Sequence, residues 1–270
     1  MIDQVYSHAI RKSPRLRKLL AYRIYQFLAN RYRTREWTFM NYGYVPADPV
    51  DDVPHLEKAD ELDRSSIALY NHVAGAVPLE GCDTLEVGCG RGGGSSFIAR
   101  YLRPRTMTGV DFSQKAVLFC RQTHAVEGLS FECADAERLP FADGSFDAVV
   151  NVESSHCYGS MPAFLSEVRR VLRTGGSFLF ADFRRADQIS TLRADLLRSR
   201  MDLLRETEIT GNVLASLESG EGRRLHLMKT ALRGIMLGYF HELVGERGSV
   251  IFEQFRTGIA RYFSFVLQRT

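Results

Sequence analysis

Between residues 61 and 183 the apolar positions switch repeatedly between two periods. The runs TLEVGC, TMTGVDF, LSFECAD, FDAVVNVE and GSFLFADF are short and rich in β-branched and aromatic residues, which predicts strands. The segments ELDRSSIALYNHVAGAV, GGSSFIARYL, SQKAVLFCRQTHAVE and MPAFLSEVRRVL space their apolar residues three and four apart, which predicts helices. Strands alternating with helices at this spacing predict an α/β fold: a doubly wound, mostly parallel sheet covered by helices on both faces.

The pattern changes on either side of that block. Residues 1–60 form an N-terminal region of two parts. From Arg11 to Arg35 there are nine Lys or Arg and no acid, and Leu16, Leu19, Leu20, Ile24, Phe27 and Leu28 fall on one helical face. The stretch WTFMNYGYVPADPVDDVPHLEK then reads as an irregular loop, rich in Pro, Asp and aromatic residues. Residues 184–247 carry a helical pattern, clearest in ADQISTLRADLLRSRMDLLRETEIT, and read as a helical cap. Residues 248–270 (SVIFEQFRTG, then IARYFSFVLQR) read as C-terminal strands that complete the sheet.

Composition narrows the class without naming it. In 270 residues, 45% are hydrophobic and 25% charged, as in globular proteins rather than disordered ones. No apolar run is long enough to span a bilayer, and the N-terminus lacks the apolar core of a secretory signal. The five cysteines show no CxxC pair, so they are expected as reduced thiols in a cytoplasmic protein without a metal site. The net charge of +3 is concentrated in the basic helix. That helix packs on its own domain or a twin subunit, as in a homo-oligomer, or lies on an anionic membrane surface. Arg and Tyr interleave there, but no RNA-binding motif accompanies them, and a nucleic-acid partner is not expected.

The chemistry concentrates after the first strand. Five glycines fall within the seven residues from Gly88 to Gly94, and GCGRGG matches GxGxxG through Gly88, Gly90 and Gly93. Between a strand and a helix, such a turn lets the backbone approach a nucleotide-like ligand closely. Asp111 ends the next strand about twenty residues on, where a carboxylate accepts both hydroxyls of a ribose. Both a nicotinamide dinucleotide and S-adenosyl-L-methionine use that arrangement.

Two further stretches separate them. CADAERLPFADGSFDAVVNVESSHCY and RRVLRTGGSFLFADF, in this order and spacing, make the chain resemble the class I S-adenosylmethionine-dependent methyltransferases over residues 61–183. The likeness is to the branch that acts on sugars, sterols, tocopherols and polyketides. With MNYGY and NVESSHCY, the chain is similar to the phthiotriol and phenolphthiotriol dimycocerosate O-methyltransferases and their relatives in natural-product clusters. The resemblance implies a Rossmann-like methyltransferase sheet and S-adenosyl-L-methionine as cofactor. It implies that Glu86 holds the glycine loop, that Gly88, Cys89 and Gly90 leave room for the methionine part, and that Asp111 binds the ribose. Phe112 lies against adenine, Asp135 with the Ala136 amide reads the adenine edge, and Asn151 ends the fourth strand near the methionine end. Asp135 in ADAERL also suits a helix N-cap.

On the acceptor side, His156 in ESSHCY is the candidate base, because imidazole titrates near neutrality and the residue follows a parallel strand. By resemblance to sugar O-methyltransferases, Asp182 in ADF orients it. Glu153 stands where related sterol C-methyltransferases carry an acid that steadies a carbocation. Tyr158, Phe183 and the aromatic residues of WTFMNYGY line such a pocket, and Tyr42 and Tyr44 cover the cofactor as a lid or simply pack. The expectation is O-methylation of a hydroxyl on a large apolar small molecule such as a polyketide, glycolipid or macrolide. The alternative is C-methylation of an isoprenoid or indole-type carbon. An NAD(P)-dependent reductase, or a binding protein without catalysis, is the remote reading; the reductase lacks its Tyr-x-x-x-Lys.

Overall fold

The computed structural model describes residues 37–47, 54–219, 245 and 247–270, with Ser13, Lys18, Leu19, Arg23 and Gln26. The rest of the basic helix at 11–35, and Leu225, Leu227, Met228 and Met236 of the expected cap, lie outside the described residues.

A 3-10 turn at Glu61–Asp63 leads into α1 (Arg64–Ala74). Strand β1 (Asp83–Val87) follows, then α2 (Gly93–Phe97), which continues as a π-helical turn at Ile98–Leu102. Next come β2 (Thr106–Asp111), α3 (Gln114–Thr123), β3 (Leu129–Cys133) and β4 (Phe146–Val152). Helix α4 (Met161–Val171) runs into β5 (Leu172–Arg185), followed by α5 (Ile189–Arg198), β6 (Met201–Glu208) and α6 (Thr210–Ser219). Helix α7 (Val250–Arg256) and strand β7 (Ala260–Arg269) close the chain. Ser113, Ser160 and Ser249 cap α3, α4 and α7, each accepting the backbone N–H three residues on.

The seven strands lie in the order β3-β2-β1-β4-β5-β7-β6. Strands β1 to β5 pair in parallel, and β7 pairs antiparallel with both β5 and β6. The period of two along β5 sorts the core. Phe178 and Phe180 face the layer of Phe164, Leu165, Val168, Leu192 and Leu196, whereas Leu179 and Ala181 face Ile67, Leu69, Val73, Leu217 and Phe252. The strand order reverses between β1 and β4, and ligands of open α/β sheets bind at the carboxyl ends beside such a reversal.

Two sequence expectations are corrected. The helical pattern expected across 184–247 fails at 201–208, which forms edge strand β6. A bulge between Leu203 and Arg205 leaves Leu204 without a register partner and 59% exposed. The extra residue breaks the alternation that marks a strand, and the apolar spacing then imitates a helix. The expected pair of C-terminal strands is one strand and one helix. In Val250–Arg256 the buried Phe252 and Phe255 are three residues apart, a helical spacing, and the Ser249 cap starts the turn. Among the described residues no helix is long and apolar enough to cross a membrane.

Phe180 is fully buried and stacks between Phe178 and Phe265, with ring centroids 5.4 and 5.6 Å away. Phe180→Ala is expected to destabilise the fold by about 3–5 kcal/mol, measured by urea denaturation; a loss under about 1 kcal/mol would contradict this packing.

Candidate active site

The carboxyl end of β1 turns sharply. Gly88, Gly90 and Gly92 all have positive φ. A side chain at Gly88 would overlap Ser154 and approach Tyr158, so glycine is required there by packing as well as by conformation. At Gly90 an added Cβ would meet only Met40 Sδ, at 3.6 Å, and it would project into the cavity that this loop borders. The loop is tied to β2: the Gly88 and Cys89 N–H groups donate to Val110 O at 2.8 and 2.9 Å. The Gly90 and Ser113 N–H groups donate to the Asp111 carboxylate at 3.0 and 2.8 Å. Burial lifts the Asp111 carboxyl to about 6, against the pull of those two amides.

Glu86 stands behind the loop, fully buried, and does not line the cavity. Its carboxylate accepts from Tyr70 OH at 2.6 Å and from Ser95 Oγ. Burial raises its pKa, and the two hydroxyls oppose that rise. Asn151 is also buried and off the cavity wall. Its Nδ2 lies 2.7 Å from Val87 O, 2.8 Å from Ser154 Oγ and 2.9 Å from Tyr158 OH, so it stitches the ends of β1 and β4.

Cys89, Gly90, Asp111, Phe112, Asp135 and Ala136 share one cavity with Glu153, Ser154, Cys157 and Tyr158. Phe112 is 43% exposed and borders the cavity, so its ring offers a face to a flat ligand. Asp135 Oδ1 accepts the Glu137 N–H at 3.0 Å, an Asx turn rather than a helix cap, since no helix follows.

Glu153 directly follows β4 with φ +46°, a left-handed conformation that costs a non-glycine residue energy and that clusters at functional sites. Its carboxylate accepts the Tyr42 N–H at 3.0 and 3.1 Å. Burial pushes it up to about 8, helped by the nearby Asp182 charge and opposed by the Tyr42 amide, so it is protonated at neutral pH.

His156 and Asp182 come together beside this cavity without lining it. His156 Nδ1 lies 2.9 Å from Asp182 Oδ1, which leaves Nε2 for chemistry. The fully buried Asp182 also accepts from Ser155 Oγ at 2.5 Å and the His156 N–H at 2.9 Å, and Arg184 lies 3.0 Å away. Burial would raise the Asp182 pKa, but Arg184 and His156 outweigh it and hold the carboxyl well below the usual range. Burial opposes charge on His156 too; Cys157 and Asp182 overcome it and lift the imidazole well above its ordinary value. The His156 ring lies 4.6 Å from Phe183, which packs on Tyr42 and Phe255.

Tyr42 and Tyr44 are placed differently from a cofactor lid. Neither borders the cavity: Tyr42 joins the Phe183–Phe255 cluster, and Tyr44 stacks on His72 at 4.7 Å. The wall is built instead by Thr38, Phe39, Met40 and Asn41, and Thr38 O accepts the Gly93 N–H at 3.2 Å. Arg91, within the glycine motif, donates to Trp37 O and lies 3.9 Å from the Phe119 ring centroid. The contacts of Thr38 with Gly93 and of Trp37 with Arg91 join residues more than fifty positions apart, and no local pattern announces them. The neighbouring MNYGY motif was the nearest signal.

The methyltransferase domain family matches residues 85–180. A fatty-acid O-methyltransferase of Mycolicibacterium smegmatis is 43% identical over 72% of this chain and 70% of its own length. A phthiotriol/phenolphthiotriol dimycocerosates methyltransferase of Mycobacterium leprae is 37% identical over 88% of this chain and 87% of its own. The chain belongs to the S-adenosylmethionine-dependent methyltransferases. Geranyl diphosphate C-methyltransferase from Streptomyces coelicolor A3(2), solved with S-adenosyl-L-homocysteine, shares the fold. Its TM-score is 0.62 at 20% identity, covering 91% of this chain and 98% of that one.

The cavity of this methyltransferase fits its cofactor. Gly90, the carboxylate of Asp111 and the exposed ring of Phe112 all border that cavity, and they offer an open backbone, a ribose acceptor and a flat apolar face. A ribose that donates to Asp111 needs the ionised carboxyl, which exists above about pH 6 and is lost below it. Binding of S-adenosylhomocysteine is therefore expected to weaken about tenfold per pH unit below about 6. Asp111→Asn is expected to weaken binding throughout and to remove this step. Calorimetry at pH values from about 5 to 7.5 checks it; pH-independent binding by the unaltered enzyme would contradict the assignment.

Proposed function

We propose that this methyltransferase transfers a methyl group to an oxygen of a large, mostly apolar molecule, with the His156–Asp182 pair managing the acceptor's proton. The observation that carries this reading is the 2.9 Å bond from His156 Nδ1 to a carboxylate that is itself fully buried and charged. The bound cofactor supplies an electrophilic methyl carbon. The chain's own task is to hold the acceptor oxygen in line with that carbon, which is worth roughly 7–11 kcal/mol, and to take up its proton. Asp182 fixes the tautomer of His156, so Nε2 would take the proton of a hydroxyl as the oxygen gains the methyl carbon and that carbon's bond to the donor sulfur breaks, leaving a neutral thioether. The imidazolium so produced is stabilised by the same carboxylate.

Two features favour oxygen over carbon as the acceptor. Glu153, the acid that would steady a carbocation, carries its own proton at neutral pH and offers no full charge. One relative is named a fatty-acid O-methyltransferase. The apolar side chains of Phe39, Met40 and Val152 on the cavity wall support an apolar acceptor. The names of both relatives point to lipid-like molecules, within the range of polyketides, glycolipids and macrolides. The cap segments after β5 would receive it.

A base must be neutral to act, and the His156 value is raised. The rate with a hydroxylated lipid is therefore expected to rise with pH along a limb centred above the ordinary imidazole value. His156→Ala is expected to keep cofactor binding and to lose about 10²–10⁴-fold in kcat. Asp182→Asn removes a charge that favours the imidazolium, so its residual limb moves to lower pH. Methyl transfer from radiolabelled cofactor measures each; full activity in His156→Ala would remove the base assignment.

A further inference from the structure

One cavity residue comes from far outside the sheet. Lys18 is the described cation of the N-terminal basic helix that lines the cofactor cavity. Its Nζ lies 2.9 and 2.8 Å from the two Asp135 oxygens and 2.8 Å from Glu137 Oε1. It also stands 5.4 Å from the centroid of the Phe112 ring. Glu137 Oε1 in turn accepts the Gly159 N–H at 2.8 Å. A side chain at Gly159 would come within 3.3 Å of Lys18 Cδ, so the lysine stem runs in a slot that glycine leaves. Lys18, Asp135 and Glu137 are all partly shielded, with side-chain exposures of 24%, 34% and 19%.

Phe112 and Asp135 are the residues assigned to adenine, and Lys18 touches both while bordering the cavity rather than filling it. An ammonium has three N–H donors, and all three positions here face carboxylate oxygens. Asp135 Oδ2 accepts from Lys18 and has room for a second donor, so it stays able to take the exocyclic amine. The charge on Lys18 is preserved, since the pairing with Asp135 and Glu137 outweighs the effect of burial and raises its pKa.

We propose that Lys18 is a positioning residue for the cofactor: paired with Asp135 and Glu137, it holds Asp135 in the orientation that reads the adenine edge. This rests on the reading that the cavity binds the cofactor with adenine at Phe112 and Asp135. Loss of Lys18 therefore acts on how firmly the nucleoside end is held and not on the chemistry at His156.

The test uses the full chain with S-adenosylhomocysteine and with adenosine as separate probes. Lys18→Ala is expected to weaken both by the same factor, about two- to fivefold, in line with a partly shielded ion pair. Dissociation of S-adenosylhomocysteine in stopped flow speeds up by that factor, and kcat at saturating cofactor is unchanged. Lys18→Arg, which keeps the charge, restores most of the affinity. Because the pair is partly exposed, raising NaCl to about 1 M brings the unaltered enzyme toward Lys18→Ala. Equal or tighter binding of both probes by Lys18→Ala overturns the proposal. So does a loss confined to S-adenosylhomocysteine, which would place the effect at the amino-acid end. Failure of the unaltered, folded enzyme to bind either probe overturns the cavity reading on which the proposal stands. If Lys18→Ala does not fold, Lys18→Gln with Asp135→Asn decides the matter. The proposal requires Lys18→Gln alone to weaken both probes and to weaken them little further when Asp135→Asn is already present; full affinity in Lys18→Gln overturns it.

Discussion

The buried carboxylate of Glu86 is the constraint around which this end of the sheet is arranged. A carboxyl in the middle of a β1 packed on both faces is costly without hydrogen-bond partners. Tyr70 of α1 and Ser95 of α2 supply them, so one side chain fixes two helices against the strand. The glycines then follow from packing. Tyr70 reaches Glu86 by passing over Gly94, where any side chain would overlap its ring, and Ser154 and Tyr158 press on Gly88 in the same way. Part of the glycine-rich turn is thus demanded by the protein's own side chains, and only Gly90 is kept bare on the cavity side.

The acid–base groups around the methyl-transfer region are pushed apart by their surroundings. Asp182 has Arg184, Ser155 and the His156 pair, and stays charged although no water reaches it. Glu153 has one backbone amide and a neighbouring negative charge, and stays neutral. Of the two carboxyl groups, the charged one on β5 pairs with His156 Nδ1 and the neutral one just after β4 does not. The left-handed backbone at Glu153 belongs to this arrangement, because its N–H still pairs with Ala181 O on β5 while its carboxyl holds the Tyr42 amide.

The N-terminal segment completes the cavity through contacts of unlike kinds. Thr38 O meets the glycine loop, Arg91 meets Trp37, Glu153 meets Tyr42, and Lys18 meets Asp135 and Glu137. Each joins a cavity element to a residue at least fifty positions earlier. The sheet could form its hydrogen bonds without them, but the cofactor wall could not close.

The parallel core is legible in the chain's own residues, because strand and helix periods are local and each element between 61 and 183 carries its own. So are the carboxylates and glycines at strand ends, since the turn chemistry after TLEVGC and TMTGVDF is written in consecutive residues. The remainder came from packing. The strand at 201–208 exists because β7 offers it an edge, and its bulge erased the alternation that would have marked it. Tyr42 and Tyr44 pack inward because Phe183, Phe255 and His72 are waiting there, while the plainer Thr38–Asn41 form the wall. Lys18 gave no local sign of its role among eight basic neighbours. A charge becomes specific only when the fold sets opposite charges within hydrogen-bonding distance of it, and that meeting is a property of the chain in three dimensions.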